Sequence, residues 1–132
     1  MGIKEDIENL VLFDKKNILS EIDELKKQLK IEKQFNGLVE FIEDLDSVYL
    51  RNLKLETNDD EIVSQLKSNE NKKLELWCYI KGKKKYIKSF GTIGKIQADE
   101  LNSIFKFVCL IRLLKNMNEV SFYASKYHML NS

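Results

Sequence analysis

Proline is absent from this 132-residue chain and glycine occurs only five times. Without proline the usual helix stop and loop stiffener is missing, which favours long helices joined by few rigid turns. The glycines, Gly2, Gly37, Gly82, Gly91 and Gly94, cannot be assembled into a Walker loop or a dinucleotide fingerprint. The nearest approach is Phe90-Gly91-Thr92-Ile93-Gly94-Lys95, where the glycines stand too close together and Ile96 replaces the hydroxyl residue that would hold magnesium. No cofactor is expected.

Histidine and cysteine are as scarce. His128 is the single histidine, and Cys78 and Cys109 lie far apart with no partner at zinc-ligand spacing. No metal site is expected, and both cysteines are expected to be free thiols. Nothing around Ser121 or Ser125 forms a nucleophile elbow, so no catalytic residue is assigned and the chain is expected not to be an enzyme. A bulk excess of one charge is also missing: 22 Lys and Arg face 21 Asp and Glu, net +1. No apolar run approaches the length of a membrane span, and Met1 to Leu10 carries Lys4, Glu5, Asp6 and Glu8 where an export signal would be apolar. The expectation is a cytoplasmic protein with no membrane contact.

The near-zero total conceals a layout. Residues 1–35 hold seven basic and eight acidic side chains (net −1), 36–70 three and nine (net −6), 71–96 eight and one (net +7), and 97–132 four and three (net +1). Blocks of this kind steer charged partners if the fold keeps them apart.

Hydrophobic spacing supplies the elements. Ile18, Ile22, Leu25 and Leu29 follow one another by four, three and four residues and form a narrow helical stripe, closer to a coiled-coil seam than to a broad core face. Its partner is either another helix of the same chain or the same helix of a second copy. The stripe is therefore a candidate oligomer interface and a homodimer is expected. Leu38, Phe41, Ile42, Leu45, Val48 and Tyr49 stand at helical spacing, with Glu40, Glu43, Asp44 and Asp46 on the remaining surface, so a helix with an acidic partner face is predicted there. Leu53 and Leu55 alternate with Lys54 and Glu56, leaving room for a short strand near Leu53.

From Leu74 the period changes to two. Leu74, Leu76, Cys78 and Ile80 alternate with Glu75, Trp77, Tyr79 and Lys81, and Lys85 to Phe90 is again rich in β-formers. A β-hairpin over 74–90 with its tip at Lys81 to Lys85 is predicted. Ala98 to Leu114 then forms a largely apolar helix, Asn116-Met117-Asn118 suggests a break, and the remainder suits a short helix or strand. The fold class that follows is α+β: a long N-terminal helix or helical hairpin, a central antiparallel hairpin with room for a third strand, and a buried C-terminal helix. One domain is expected, mainly helical over 1–50, mixed over 51–96 and mainly helical over 97–130.

The hairpin carries the clearest functional pattern. Lys81, Lys83, Lys84, Lys85 and Lys88 stand beside Trp77, Tyr79 and Tyr86. Lysines neutralise phosphates and flat rings stack on unpaired bases, so the two residue kinds together suit DNA or RNA; a two-stranded ribbon also fits the major groove. The bland reading of the same lysines is a soluble edge that resists aggregation. The stretch Leu76 to Thr92 is loosely similar to the strand-rich arm-binding domain of phage-type integrases, over under a fifth of the chain, and is not taken as membership. The expected function is a non-enzymatic, oligomeric regulator that contacts nucleic acid through the hairpin. The alternative is a small phage or mobile-element inhibitor or adaptor that engages a larger host protein through its helices or acidic face.

Overall fold

The computed structural model describes residues 3–34, 44–55 and 59–131, and the side chains of residues 16–34, 44–55, 60–116, 127, 129 and 130. In chain order the elements are helix α1 (Ile3–Gln28), strand β1 (Leu45–Arg51), helix α2 (Asp59–Ser68), strands β2 (Lys73–Ile80) and β3 (Lys83–Thr92), a 3-10 turn (Ile93–Lys95) and helix α3 (Ala98–Asn131). The strands form one antiparallel sheet in the order β1-β2-β3. The class is α+β. Among the described residues, no helix is long and apolar enough to cross a membrane.

The period-two segment becomes the two strands that the alternation demands. Leu74, Leu76 and Cys78 are fully buried on one face of β2, and Glu75, Trp77 and Tyr79 turn to the other. The connection is a two-residue turn with positive φ at both Lys81 (52°) and Gly82 (77°), the handedness that matches the twist of a hairpin. The tip is thus shorter than the Lys81–Lys85 span expected from composition.

α1 and α3 cover the apolar face of the sheet. Ile18, Ile22 and Leu25 of α1 and Leu29 just beyond it join Val48 and Leu50 of β1, Leu76 of β2 and Ile104, Phe107, Val108, Ile111 and Leu114 of α3 in one buried cluster. Ser103 Oγ donates to Gln28 Oε1 at 3.4 Å, so the end of α1 meets the beginning of α3. This corrects the interface assignment. The partner of the Ile18–Leu29 stripe is α3 of the same chain, and four residues between 1% and 7% exposed offer nothing to a second copy. The stripe is narrow because α1 lies on a helix, with its remaining sides in solvent.

Two element assignments also change. The helix predicted across Leu38 to Tyr49 is a strand from Leu45 onward; Leu38, Phe41 and Ile42 lie outside the described residues. A β-bulge at Asp46, between the pairs Leu45↔Ile80 and Ser47↔Tyr79, inserts one residue into β1. The insertion makes the buried residues Leu45 and Val48 three apart, and a strand then imitates a helical step. The third strand therefore precedes Leu53, which is buried just beyond it. The break expected at Asn116 to Asn118 does not occur: α3 runs through it for 34 residues, about 50 Å at 1.5 Å per residue. Asparagine lowers helix propensity only slightly, and the segment holds no Gly or Pro to end it.

α1 ends in a Schellman turn. Ile31 N–H reaches Lys26 O at 3.0 Å and Lys30 N–H reaches Lys27 O at 3.2 Å, with Lys30 at φ 57° where glycine is usual. Ile31 then drops into the core, fully buried.

Candidate nucleic-acid interface

The sheet face turned away from α1 and α3 is assembled row by row from cross-strand partners, which share a face in an antiparallel sheet. One row is Ser47, Tyr79 and Lys84; the next is Tyr49, Trp77 and Tyr86; the third is Arg51, Glu75 and Ser89. Four aromatic side chains thus occupy two adjacent rows across all three strands. Tyr49 stacks on Tyr79 with centroids 5.5 Å apart and planes at 28°. Trp77 meets Tyr86 edge to face at 5.4 Å. Tyr86, on the edge strand, is 46% exposed, and the other three are half-buried.

Glu75 is the one carboxylate in these rows, and it is engaged. It accepts from Trp77 Nε1 at 3.3 Å and pairs with Arg51 at 3.6 Å, which holds the indole in place and compensates the local negative charge. Burial is the main influence raising the Tyr49 phenol above its ordinary pKa, and Lys84 pulls it back. Lys84 is the cross-strand partner of Tyr79, which places it next to the Tyr49–Tyr79 stack. On the opposite face burial pushes the Cys78 thiol up, opposed by Lys85, its cross-strand partner.

The five hairpin lysines do not act as one group. Lys81 pairs with Asp44 at 3.7 Å. Lys88 is half-buried on the helix side, where its ammonium donates to Leu29 O at 2.7 Å and lies 5.4 Å from the centre of the Phe90 ring. It caps the end of α1, a use that favours a cation at a helix C-terminus. Lys83, Lys84 and Lys85 are exposed, and none has a carboxylate partner among the described residues. Lys84 rises from the aromatic face; Lys83 and Lys85 share the helix-side face with Ile80 and Cys78 at the rim of the sheet.

The acidic residues come apart in the same way. Asp44 holds Lys81, and Asp46, at the bulge, accepts from the Gly82 backbone N–H at 2.7 Å. Glu40 and Glu43 lie outside the described residues. Part of the acidic block is thus folded against the tip of the basic hairpin and neutralises one of its lysines. Among the described residues no group of three His, Cys, Asp or Glu could hold a metal ion. The Gly91–Lys95 segment offers no phosphate cradle either, since Ile93 N–H and Gly94 N–H are bonded to Lys72 O and Glu70 O, both at 2.9 Å.

Sequence reasoning missed Tyr49, which the helical reading placed on the apolar face of a helix, and Arg51, which it placed in no element. The available signal was period two within 48–51: Val48 and Leu50 inward, Tyr49 and Arg51 outward.

Comparison with family models, curated proteins and solved structures finds no match to this chain. The functional reading rests on geometry and charge.

Proposed function

We propose that this chain is a non-enzymatic nucleic-acid-binding protein that uses the β2–β3 hairpin as its contact. The observation that carries the reading is exposed Lys84 beside Tyr79 on an open sheet face that also bears Tyr49, Trp77 and Tyr86, with Lys83 and Lys85 flanking it on the same edge strand and none of the three paired with a carboxylate among the described residues. Cations supply the sequence-independent attraction to phosphates, and rings supply stacking. The surface pairing of Lys81 with Asp44 and the part-buried bond of Lys88 to Leu29 O narrow the basic contact without abolishing it. The acidic-face alternative has less support, because Asp44 and Asp46 are occupied by Lys81 and Gly82.

The test is binding of a mixed-sequence oligonucleotide at low salt, followed by fluorescence anisotropy. Affinity should fall with salt at a log–log slope of about −2 to −3, as expected for roughly three phosphate contacts. Changing Lys83, Lys84 and Lys85 together to Glu should abolish binding while Lys81→Glu leaves most of it. No binding by the parent, or full binding by the triple variant, would refute the proposal.

A further inference from the structure

We infer that the nucleic acid taken by this surface is single-stranded, laid across the open sheet face with its bases on Tyr86, Trp77 and Tyr79 and its phosphates along the rim that carries Lys83, Lys84 and Lys85. The inference rests on the nucleic-acid reading above and decides between the two forms that reading allows.

The major groove of a duplex, about 12 Å wide and 8.5 Å deep, admits a two-stranded β-ribbon, and a ribbon that projects from its fold enters it most readily. This hairpin does not project. β1 runs beside it to the tip, where Leu45 pairs with Ile80, Lys81 N–H reaches Asp44 O at 3.3 Å and Gly82 N–H reaches the Asp46 carboxylate at 2.7 Å. At the tip Asp44 is paired with Lys81, which reduces the attraction of that lysine for phosphates on a tip-first approach.

The sheet face has the opposite properties. It is a broad platform with the row Tyr49, Trp77 and Tyr86 running across it and Tyr79 beside Lys84 in the next row. Stacking on such rings needs bases whose flat faces are free; in a duplex those faces are covered by neighbouring base pairs, and in a single strand they can be splayed out. Charge complementarity points the same way. Lys84 stands on the aromatic face beside Tyr79, and Lys83 and Lys85 flank it on the same edge strand with their side chains on the helix side, so a backbone can follow this edge while its bases turn inward over Tyr86 and Trp77. The only carboxylate in the rows, Glu75, is compensated by Arg51.

Trp77 is the sole tryptophan, so its fluorescence reports stacking directly. The full chain would be titrated at low salt with oligo(dT) and oligo(rU) of about a dozen nucleotides, with a mixed-sequence duplex of equal length, and with poly-glutamate as an acidic peptide probe. The expected result is binding of the single strands at least about tenfold tighter than the duplex, with quenching of Trp77. Tyr86→Ala, at an exposed position, should weaken single-strand binding by about tenfold to a hundredfold, the range for loss of one stacked base, with an unchanged circular dichroism spectrum. Trp77→Phe should retain binding without the optical signal and serves as the variant that keeps a ring in the row. Duplex binding as tight as single-strand binding, absence of quenching, or an unaffected Tyr86→Ala variant would each overturn the inference while leaving nucleic-acid binding itself in place. Failure to bind any oligonucleotide would overturn both. Binding of poly-glutamate as tight as that of oligo(dT) would assign the surface to an acidic protein instead.

Discussion

The Lys88 ammonium donates to the Leu29 carbonyl at 2.7 Å, joining the third strand of the sheet to the end of the first helix across 59 positions of sequence. A charged hydrogen bond to a carbonyl at the C-terminal end of a helix contributes about 1–2 kcal/mol at a half-buried site. Lys88→Met should therefore lower stability by about that amount in urea denaturation, and leave the salt slope of oligonucleotide binding unchanged. A weaker slope with no loss of stability would place Lys88 among the phosphate contacts instead.

Lys30 sits at φ 57° in the turn that ends α1, a conformation unfavourable to a residue with a Cβ by roughly 1–2 kcal/mol. Lys30→Gly should raise stability by about 1 kcal/mol, after allowance for the greater freedom glycine has in the unfolded chain. The urea midpoint measures it; a lower midpoint would mean that the Lys30 side chain contributes more than its backbone strain removes.

The two thiols should separate by reactivity. Cys109 is exposed and Cys78 buried. A disulfide reagent should modify one thiol per folded chain quickly and the second only on unfolding. Rapid reaction of both would show that β2 opens locally.

The buried Cys78 thiol also sets the direction of an alkaline effect. Its folded-state pKa is raised by burial above the ordinary 9.0, so the folded chain holds this proton more tightly than the unfolded one. The stability from this linkage is fully present below about pH 9 and is lost as pH rises through the folded value. Tyr49, also raised mainly by burial, acts in the same direction at higher pH. Urea midpoints should fall on passing from neutral to strongly alkaline buffer, and Cys78→Ala should reduce the slope of that fall while lowering the midpoint overall. An unaltered slope would remove Cys78 from the account.

Lys84 lowers the Tyr49 pKa. Replacing it with methionine keeps the stem and deletes the charge, so the Tyr49 ring resonances should titrate at higher pH than in the parent. A downward or absent shift would place Lys84 away from the Tyr49–Tyr79 stack.

The hairpin was legible because Leu74 to Ile80 alternates without interruption and Gly82 supplies a residue for positive φ. The Ile18–Leu29 stripe was legible as a helix-pairing seam, but spacing alone does not say which helix fills it. The strand β1 was hidden by Asp46, whose insertion converts a step of two into a step of three and makes a bulged strand resemble a helix. The length of α3 was hidden by asparagines that suggest a turn, although nothing in 98–131 prevents the backbone from continuing. For the interface, the residue types of the hairpin were visible and their division was not. That Lys81 and Lys88 would be engaged by Asp44 and Leu29 O depends on contacts 37 and 59 positions away, beyond any local pattern.

The bond from Gly82 N–H to the Asp46 carboxylate and the contact between Lys81 and Asp44 pin the hairpin turn to the strand beside it. A loop tethered in this way has little conformational entropy left to surrender, and the rings behind it are set in register before any ligand arrives. A ligand of the proposed kind would then find the backbone of this surface already ordered, leaving the exposed lysine side chains as the protein's share of the ordering cost.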